Sequence, residues 1–173
     1  YKERDEDKRS IFLEQIAPFN KEDLVYIDES GIDSYVHQPF GWAKRGTKVF
    51  GEVSGKRYAR ESFVAAKCGS EILAPFCFTG TCYTDLFNLW VETYLLPVLK
   101  PGQVIILDNA TFHKSEKTKT LIESAGCSLL FLPPYSPDLN PIETFWANLK
   151  AKIRDFLKYY ASLAEAIDHA FSL

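Results

Sequence analysis

Apolar residues along this chain fall into two periods. Short uninterrupted runs, "LVYI" at 24–27, "VIIL" at 104–107 and "SLLFL" at 128–132, are bounded by acids, glycines or prolines. Such runs predict strands, and an unbroken one such as "VIIL" suits a strand covered on both faces of a sheet. "ESFVAAKCG" and "EILAPFCFTG" read as paired strands joined through Gly69 and Ser70. Further short strands are predicted at "SYVHQ" and "KVFGEV". Elsewhere apolar residues recur every three to four positions, as at Leu86, Leu89, Trp90 and Tyr94. That spacing predicts helices over 10–18, 84–99, 114–125, 141–159 and 162–171. Pro18 stops the first, Thr84 is the expected cap of the second, and Gly126 ends the third. Three successive strands suggest an antiparallel meander. The later alternation of strand and helix suggests parallel crossovers. The expectation is α/β, a mixed five-stranded sheet flanked by helices.

The stretch "LPPYSPDLNPIETFWANLK" interrupts this rhythm. Pro133, Pro134, Pro137 and Pro141 fall within nine residues, directly before a helix. One reading is punctuation: Asn140 as N-cap, Pro141 as first helical residue and Glu143 completing a capping box. Within that helix Ile142, Phe145, Leu149, Ile153 and Phe156 form a core stripe, while Glu143, Ala147, Lys150 and Arg154 share another face. Trp146 is expected in the core.

A second reading of Glu143 comes from where the other acids lie. Two buried strands each run into an aspartate, Asp28 after "VYI" and Asp108 after "IIL". Ligands of open α/β sheets gather at the carboxyl ends of strands. If those strands are neighbours, Asp28 and Asp108 lie side by side, and Glu143, entering on the helix that follows the last strand, joins them. Three carboxylates without a cation repel one another. A divalent ion relieves that, and an all-oxygen set selects magnesium or manganese. Two such ions promote phosphoryl transfer. The prolines then fix where Glu143 enters. Glu29 should point to the opposite face from Asp28, because strand side chains alternate.

Composition narrows the class. With 173 residues, 46% hydrophobic and 25% charged, the chain suits one soluble domain with a sizeable core. No apolar run approaches the roughly 20 residues a membrane helix needs, and the start "YKERDEDKRS" is no signal peptide. Cys68, Cys77, Cys82 and Cys127 are scattered, without a C-x-x-C pair. This argues against zinc and for buried free thiols in a reducing cytoplasm. The absence of methionine and the start at Tyr1 suggest a piece of a longer protein. The net charge of −3 is unevenly spread. Residues 1–33 carry ten acids against five bases, whereas 40–70 carry Lys44, Arg45, Lys48, Lys56, Arg57, Arg60 and Lys67 against Glu52 and Glu61. The basic segment is a solvated loop face or a nucleic-acid surface. Trp42, within it, would pack under a hairpin or stack on a base.

"YIDESG", "ILDNATFHKS" and "LPPYSPDLNPIETFWANLK" resemble the catalytic domain of bacterial insertion-sequence transposases of the mariner superfamily, over about residues 22–158. Between Asp108 and Glu143 lie 34 residues, the spacing typical of that superfamily. The resemblance implies a ribonuclease-H-like fold with catalytic and metal-binding residues Asp28, Asp108 and Glu143. It implies two Mg2+ ions, replaceable by Mn2+, with Asp28 bridging both. It implies cleavage of double-stranded DNA at element ends and strand transfer into target DNA at TA sites, by a homodimer assembled on the DNA. Residues 1–21 would end an interdomain linker, 22–173 would form the catalytic domain, and no helix-turn-helix module for recognising element ends is visible. The protein would act in the bacterial cytoplasm, associated with the nucleoid. Lys44, Arg45, Lys56, Arg57, His113, Lys114, Lys150 and Arg154 are the candidate DNA contacts. His113 is alternatively a carboxylate-orienting or helix-start residue. Two other readings stay open: a nuclease without transposition, and an inactive remnant that only binds DNA or dimerises.

Overall fold

The computed structural model describes residues 5–33 and 60–172. The strands foreseen at "SYVHQ" and "KVFGEV", with Trp42, Lys44, Arg45, Lys56 and Arg57, lie outside the described residues. Five strands form one sheet: β1 (Leu24–Asp33), β2 (Arg60–Cys68), β3 (Glu71–Thr79), β4 (Val104–Leu107) and β5 (Ser128–Phe131). Their spatial order is β3-β2-β1-β4-β5. The first three are antiparallel neighbours, and β4 and β5 add parallel to β1. The meander and the crossovers are therefore both present.

Helices cover both faces. α1 (Glu6–Ile16) begins earlier than its apolar pattern indicates, because the Asp5 side chain accepts from the Lys8 amide and caps it. α2 (Thr84–Trp90) is not capped by Thr84. The N-cap position is Tyr83, and Thr84 is already helical. The predicted single helix continues as a π turn at Val91–Leu95 and a 3₁₀ turn at Leu96–Val98, where Pro97 cannot donate to a regular ladder. α3 (Glu116–Ser124) starts at a Ser115 cap, after a separate 3₁₀ turn at Thr111–Lys114. Gly126 follows α3 with φ +73° and closes against Pro101, which a Cβ would approach to 3.2 Å. α4 (Ile142–Phe156) ends three residues short of expectation, and α5 (Leu163–Phe171) closes the chain.

Alternation along the strands sorts the core. Val25, Ile27, Ile105 and Leu107 meet Phe87, Trp90 and Ile122 from α2 and α3. On the opposite face Phe63 and Ala65 of β2 meet Ile142, Trp146, Leu149 and Ile153 of α4 and Ile167 of α5. Next to these, Leu24, Val104 and Ile106 pack with Phe12 of α1 and Leu132. Full burial of one such large side chain contributes about 1.5–3 kcal/mol. Trp146 is in the core as expected, stacked on Phe63 at 5.5 Å. A register shift between Val64 and Ala66 marks a bulge, where Ala74 of β3 takes φ +48° and its carbonyl accepts from Trp90 Nε1 at 2.9 Å. Among the described residues no helix is long and apolar enough to cross a membrane. Of the four thiols only Cys127 is buried, and Cys77 is exposed, against the expectation for all four. Cys77 lies on β3, which among the described residues has a neighbour on one side only.

Candidate active site

β1 and β4 are parallel neighbours paired Leu24 with Val104, Val25 with Ile105 and Tyr26 with Ile106. Continued by two residues, that register sets Asp28, in the middle of β1, level with Asp108, the residue that follows β4. Asp28, Asp108 and Glu143 line one cleft of about 170 Å³, together with Asn109, Asn140 and the proline loop at 133–137. Glu143 enters from the first turn of α4.

The electrostatics of this cleft are those of crowded like charges. Burial, and then Glu143, Glu29 and Asp108, push the Asp28 carboxyl up to about 8. Burial also works against ionised Asp108. There the hydrogen bonds from His113 and the Ala110 amide win, and its pKa falls below the usual carboxylate range. Asp108 stays ionised while Asp28 holds its proton until a cation arrives.

His113 makes the difference between the two aspartates. It is fully buried, with Nδ1 2.7 Å from Asp108 Oδ1 and Nε2 2.8 Å from Glu29 Oε1. Only the doubly protonated ring donates to both. Burial alone would lower its pKa, but the hydrogen bonds to Asp108 and Glu29 outweigh it and hold His113 at about 9. Phe87 and Phe112 flank the ring at 4.5 and 4.3 Å. A side chain with no exposed surface has none to offer DNA, so His113 is corrected from candidate DNA contact to a residue orienting a carboxylate. Glu29 follows Asp28 on β1, and the two line a neighbouring cleft together with Asp108. It joins the site because His113 bridges it to Asp108. The substitution Glu29→Gln should keep the ring in place but remove one of its two charge partners. The expected result is a fall in the His113 pKa of at least about one unit, read by NMR titration of the imidazole. An unchanged titration would refute the bridge.

The capping box foreseen at Asn140 and Glu143 does not form. Ile142 opens the helix with Pro141 before it, no side chain caps the turn, and the Asn140 backbone carbonyl accepts from the Glu143 amide at 3.2 Å. A related arrangement occurs at α5, where Ser162 Oγ accepts from the Glu165 amide and the Glu165 carboxylate accepts from the amide of Ala161, the residue before the cap. Asn140 is buried where it borders the cleft, and among the described residues its Oδ1 has no hydrogen-bond partner. Among the described residues no three Asp, Glu, His or Cys side chains are already closed around a metal position. Three carboxylates nevertheless line the cleft, with the buried Asn140 amide beside them. That set fits a hard divalent cation.

The candidate basic residues divide. Lys150 is partly buried, and Glu143 and Asp28 are among its charge neighbours; burial lowers its pKa. Arg154, one turn on, is exposed. Exposed Lys114 holds Nζ 5.6 Å above the Phe131 ring, near Asp108. Not among the candidate DNA contacts are Arg60, which lines a neighbouring cleft with Asp28, Glu29 and Asp108 and lies close over Gly31, and Tyr135, held at φ +54° in the cleft of the three acids. A non-glycine residue in the left-handed region was the signal available only from the backbone.

A family model described as DDE superfamily endonuclease matches residues 23–165. The Tc3 transposable-element transposase of Caenorhabditis elegans is 30% identical over 116 residues, 67% of this chain and 32% of that protein. The Mos1 transposase paired-end complex with left transposon end superposes with a TM-score of 0.70 at 15% identity, covering 96% of this chain and 53% of that one. The Mos1 mariner paired end complex with Mn gives a TM-score of 0.68 at 15% identity, with the same coverages of 96% and 53%. The chain thus spans about a third of the Tc3 protein and about half of the Mos1 chain. The structural matches establish the fold, the ribonuclease-H-like sheet with its flanking helices.

Proposed function

Because the chain belongs to the DDE superfamily endonucleases, we propose that it is the catalytic domain of a cut-and-paste transposase, with Asp28, Asp108 and Glu143 as its catalytic and metal-binding residues. The observation that carries this is that these three acids line one cleft, from the middle of β1, the end of β4 and the start of α4. Two magnesium ions, or manganese in their place, would supply an activated water and charge stabilisation of the leaving oxygen. Asp28, on which the charges of both Glu143 and Asp108 act, would hold the ions together with those two acids.

The residues around them divide the remaining work. His113 holds Asp108 ionised and fixed in rotation. Glu29 keeps His113 charged. Lys150 and Arg154 lie along the α4 face that carries Glu143, and with Lys114 they would meet the phosphate backbone of double-stranded DNA. Lys44, Arg45, Lys56 and Arg57 are assigned to the same substrate on charge alone. In the first step water bonds to phosphorus at the element end and the bond to the 3′-oxygen breaks, which frees a 3′-hydroxyl. In the second that hydroxyl attacks a target phosphodiester at a TA step, the hydroxyl proton leaves, and one target oxygen departs. Joining two ends calls for a homodimer on the DNA, at the nucleoid of a bacterial cell.

Manganese titrated into the purified chain by calorimetry tests the metal site without knowledge of the element's ends. Binding by the wild type and a loss of at least about tenfold in affinity in Asp108→Asn are expected. Equal binding by both would refute the assignment. A strand-transfer assay on cleaved DNA then separates a transposase from a simple nuclease.

A further inference from the structure

The proline loop that delivers Glu143 is held from a distant part of the chain. Arg9 lies on α1 with 7% of its surface exposed. Its Nη1 donates to Asp138 Oδ1 at 3.1 Å and its Nη2 to Asp138 Oδ2 at 2.8 Å, the bidentate fork that only arginine can make. Glu6 steadies the guanidinium from within α1, 3.7 Å from Nε. One turn further along α1, Phe12 is buried against Leu132, and Leu139 packs on the same cluster. Both ends of the loop that starts at Leu132 therefore rest on α1.

From Asp138 the path to Glu143 is short and hydrogen-bonded throughout. Asp138 sits in the 3₁₀ turn Pro137–Leu139. The Leu139 amide donates to Ser136, the Asn140 amide to Pro137, and the Glu143 amide to the Asn140 carbonyl. Pro137 and Pro141 have no N–H and fixed φ, so the segment has few ways to adjust. A displaced Asp138 carries Asn140 and Glu143 with it.

We infer that Arg9 is a positioning residue for Glu143: through its fork on Asp138, helix α1 fixes where the glutamate enters the cleft. The helix before β1 is then part of the active-site architecture. This inference rests on Glu143 being a metal ligand, and it assigns no contact between Arg9 and substrate or ion.

Hydrogen exchange and manganese calorimetry on the full 173-residue chain test it. The variants are Arg9→Ala, Arg9→Lys and the reversed pair Arg9→Asp with Asp138→Arg. In Arg9→Ala the amides of Leu139, Asn140 and Glu143 should exchange about tenfold faster, with β4 and α3 unchanged. Manganese affinity should fall about tenfold, the lower end of what outer partners of a metal site contribute. Arg9→Lys, which keeps the charge but not the fork, should resemble the alanine variant, and the reversed pair should restore both readouts. Acceleration spread evenly over the whole chain would overturn the inference, since it marks general destabilisation. So would unchanged manganese affinity in Arg9→Ala beside a wild type that binds. No binding by the wild type would instead overturn the metal-site proposal, and the positioning role with it.

Discussion

Asp28→Asn should abolish manganese-dependent DNA cleavage and yet make the metal-free protein more stable. The two effects have one cause. Asp28 is forced against Glu143, Glu29 and Asp108 in a buried position that raises its pKa from 3.8 to about 8. Between those values the folded protein holds a proton that the unfolded chain releases, so folding stability falls as pH rises from about 4 to about 8. Asparagine has the same shape and no charge, and it escapes that penalty. At pH 8.5 without metal the variant should be about 2 kcal/mol more stable than the wild type in urea unfolding, with the difference vanishing near pH 4. Millimolar manganese should then stabilise the wild type and leave the variant unmoved, because only the wild type gains a ligand bound to its native state. Cleavage should drop at least about a hundredfold. A variant as active as the wild type, or no more stable than it at pH 8.5, would show that Asp28 is not the strained centre of the cluster.

His113→Ala should be the most damaging single change to stability. It removes a buried cation from between two carboxylates and opens a space beside Phe87 and Phe112. Breaking an ion pair by deleting one partner leaves uncompensated charge. With Asp108 half exposed, the expected cost near neutral pH is about 3 kcal/mol. The pH dependence identifies the cause. The folded His113 pKa is raised to about 9 from 6.5, so its contribution is complete below about 6.5 and is lost as pH rises through about 9. Unfolding of both proteins at pH 6.5 and pH 10 should therefore show a gap that narrows at the higher pH. A constant gap would mean that the ring acts through packing alone. Manganese affinity should also fall by about tenfold or more, since Asp108 loses the group that fixes its rotation.

What could be read from the residues, and what could not, divides along the range of the forces involved. The run "VIIL" into Asp108 predicted a central strand because two-sided burial leaves an unbroken apolar signature, and β4 is the fully buried strand of the sheet. The stripe through Ile142, Leu149 and Ile153 was equally plain, because a helix face has a fixed period. Asn140 was misread because its type and place suit a cap. Its backbone carbonyl closes the turn instead and frees the side chain to face the cleft. The α2 segment was drawn as one helix since periodicity does not distinguish α from π geometry over a single turn. Strand alternation alone sets Glu29 apart from Asp28, and it has no means of seeing a histidine 84 residues away. Arg9 and Asp138 are separated by 129 positions, and no local pattern links them.

The strand order bears on how such an enzyme is made. Asp28 is made before the other two acids: the strand that sets Asp108 beside it pairs Val25 with Ile105, 80 residues later, and Glu143 follows 35 residues after Asp108. Contacts so far apart in the chain form late in folding. A polypeptide cut short before β4 holds the antiparallel strands and one of the three cleft acids. On the proposed function, the cleft is complete only once the chain has been made through α4.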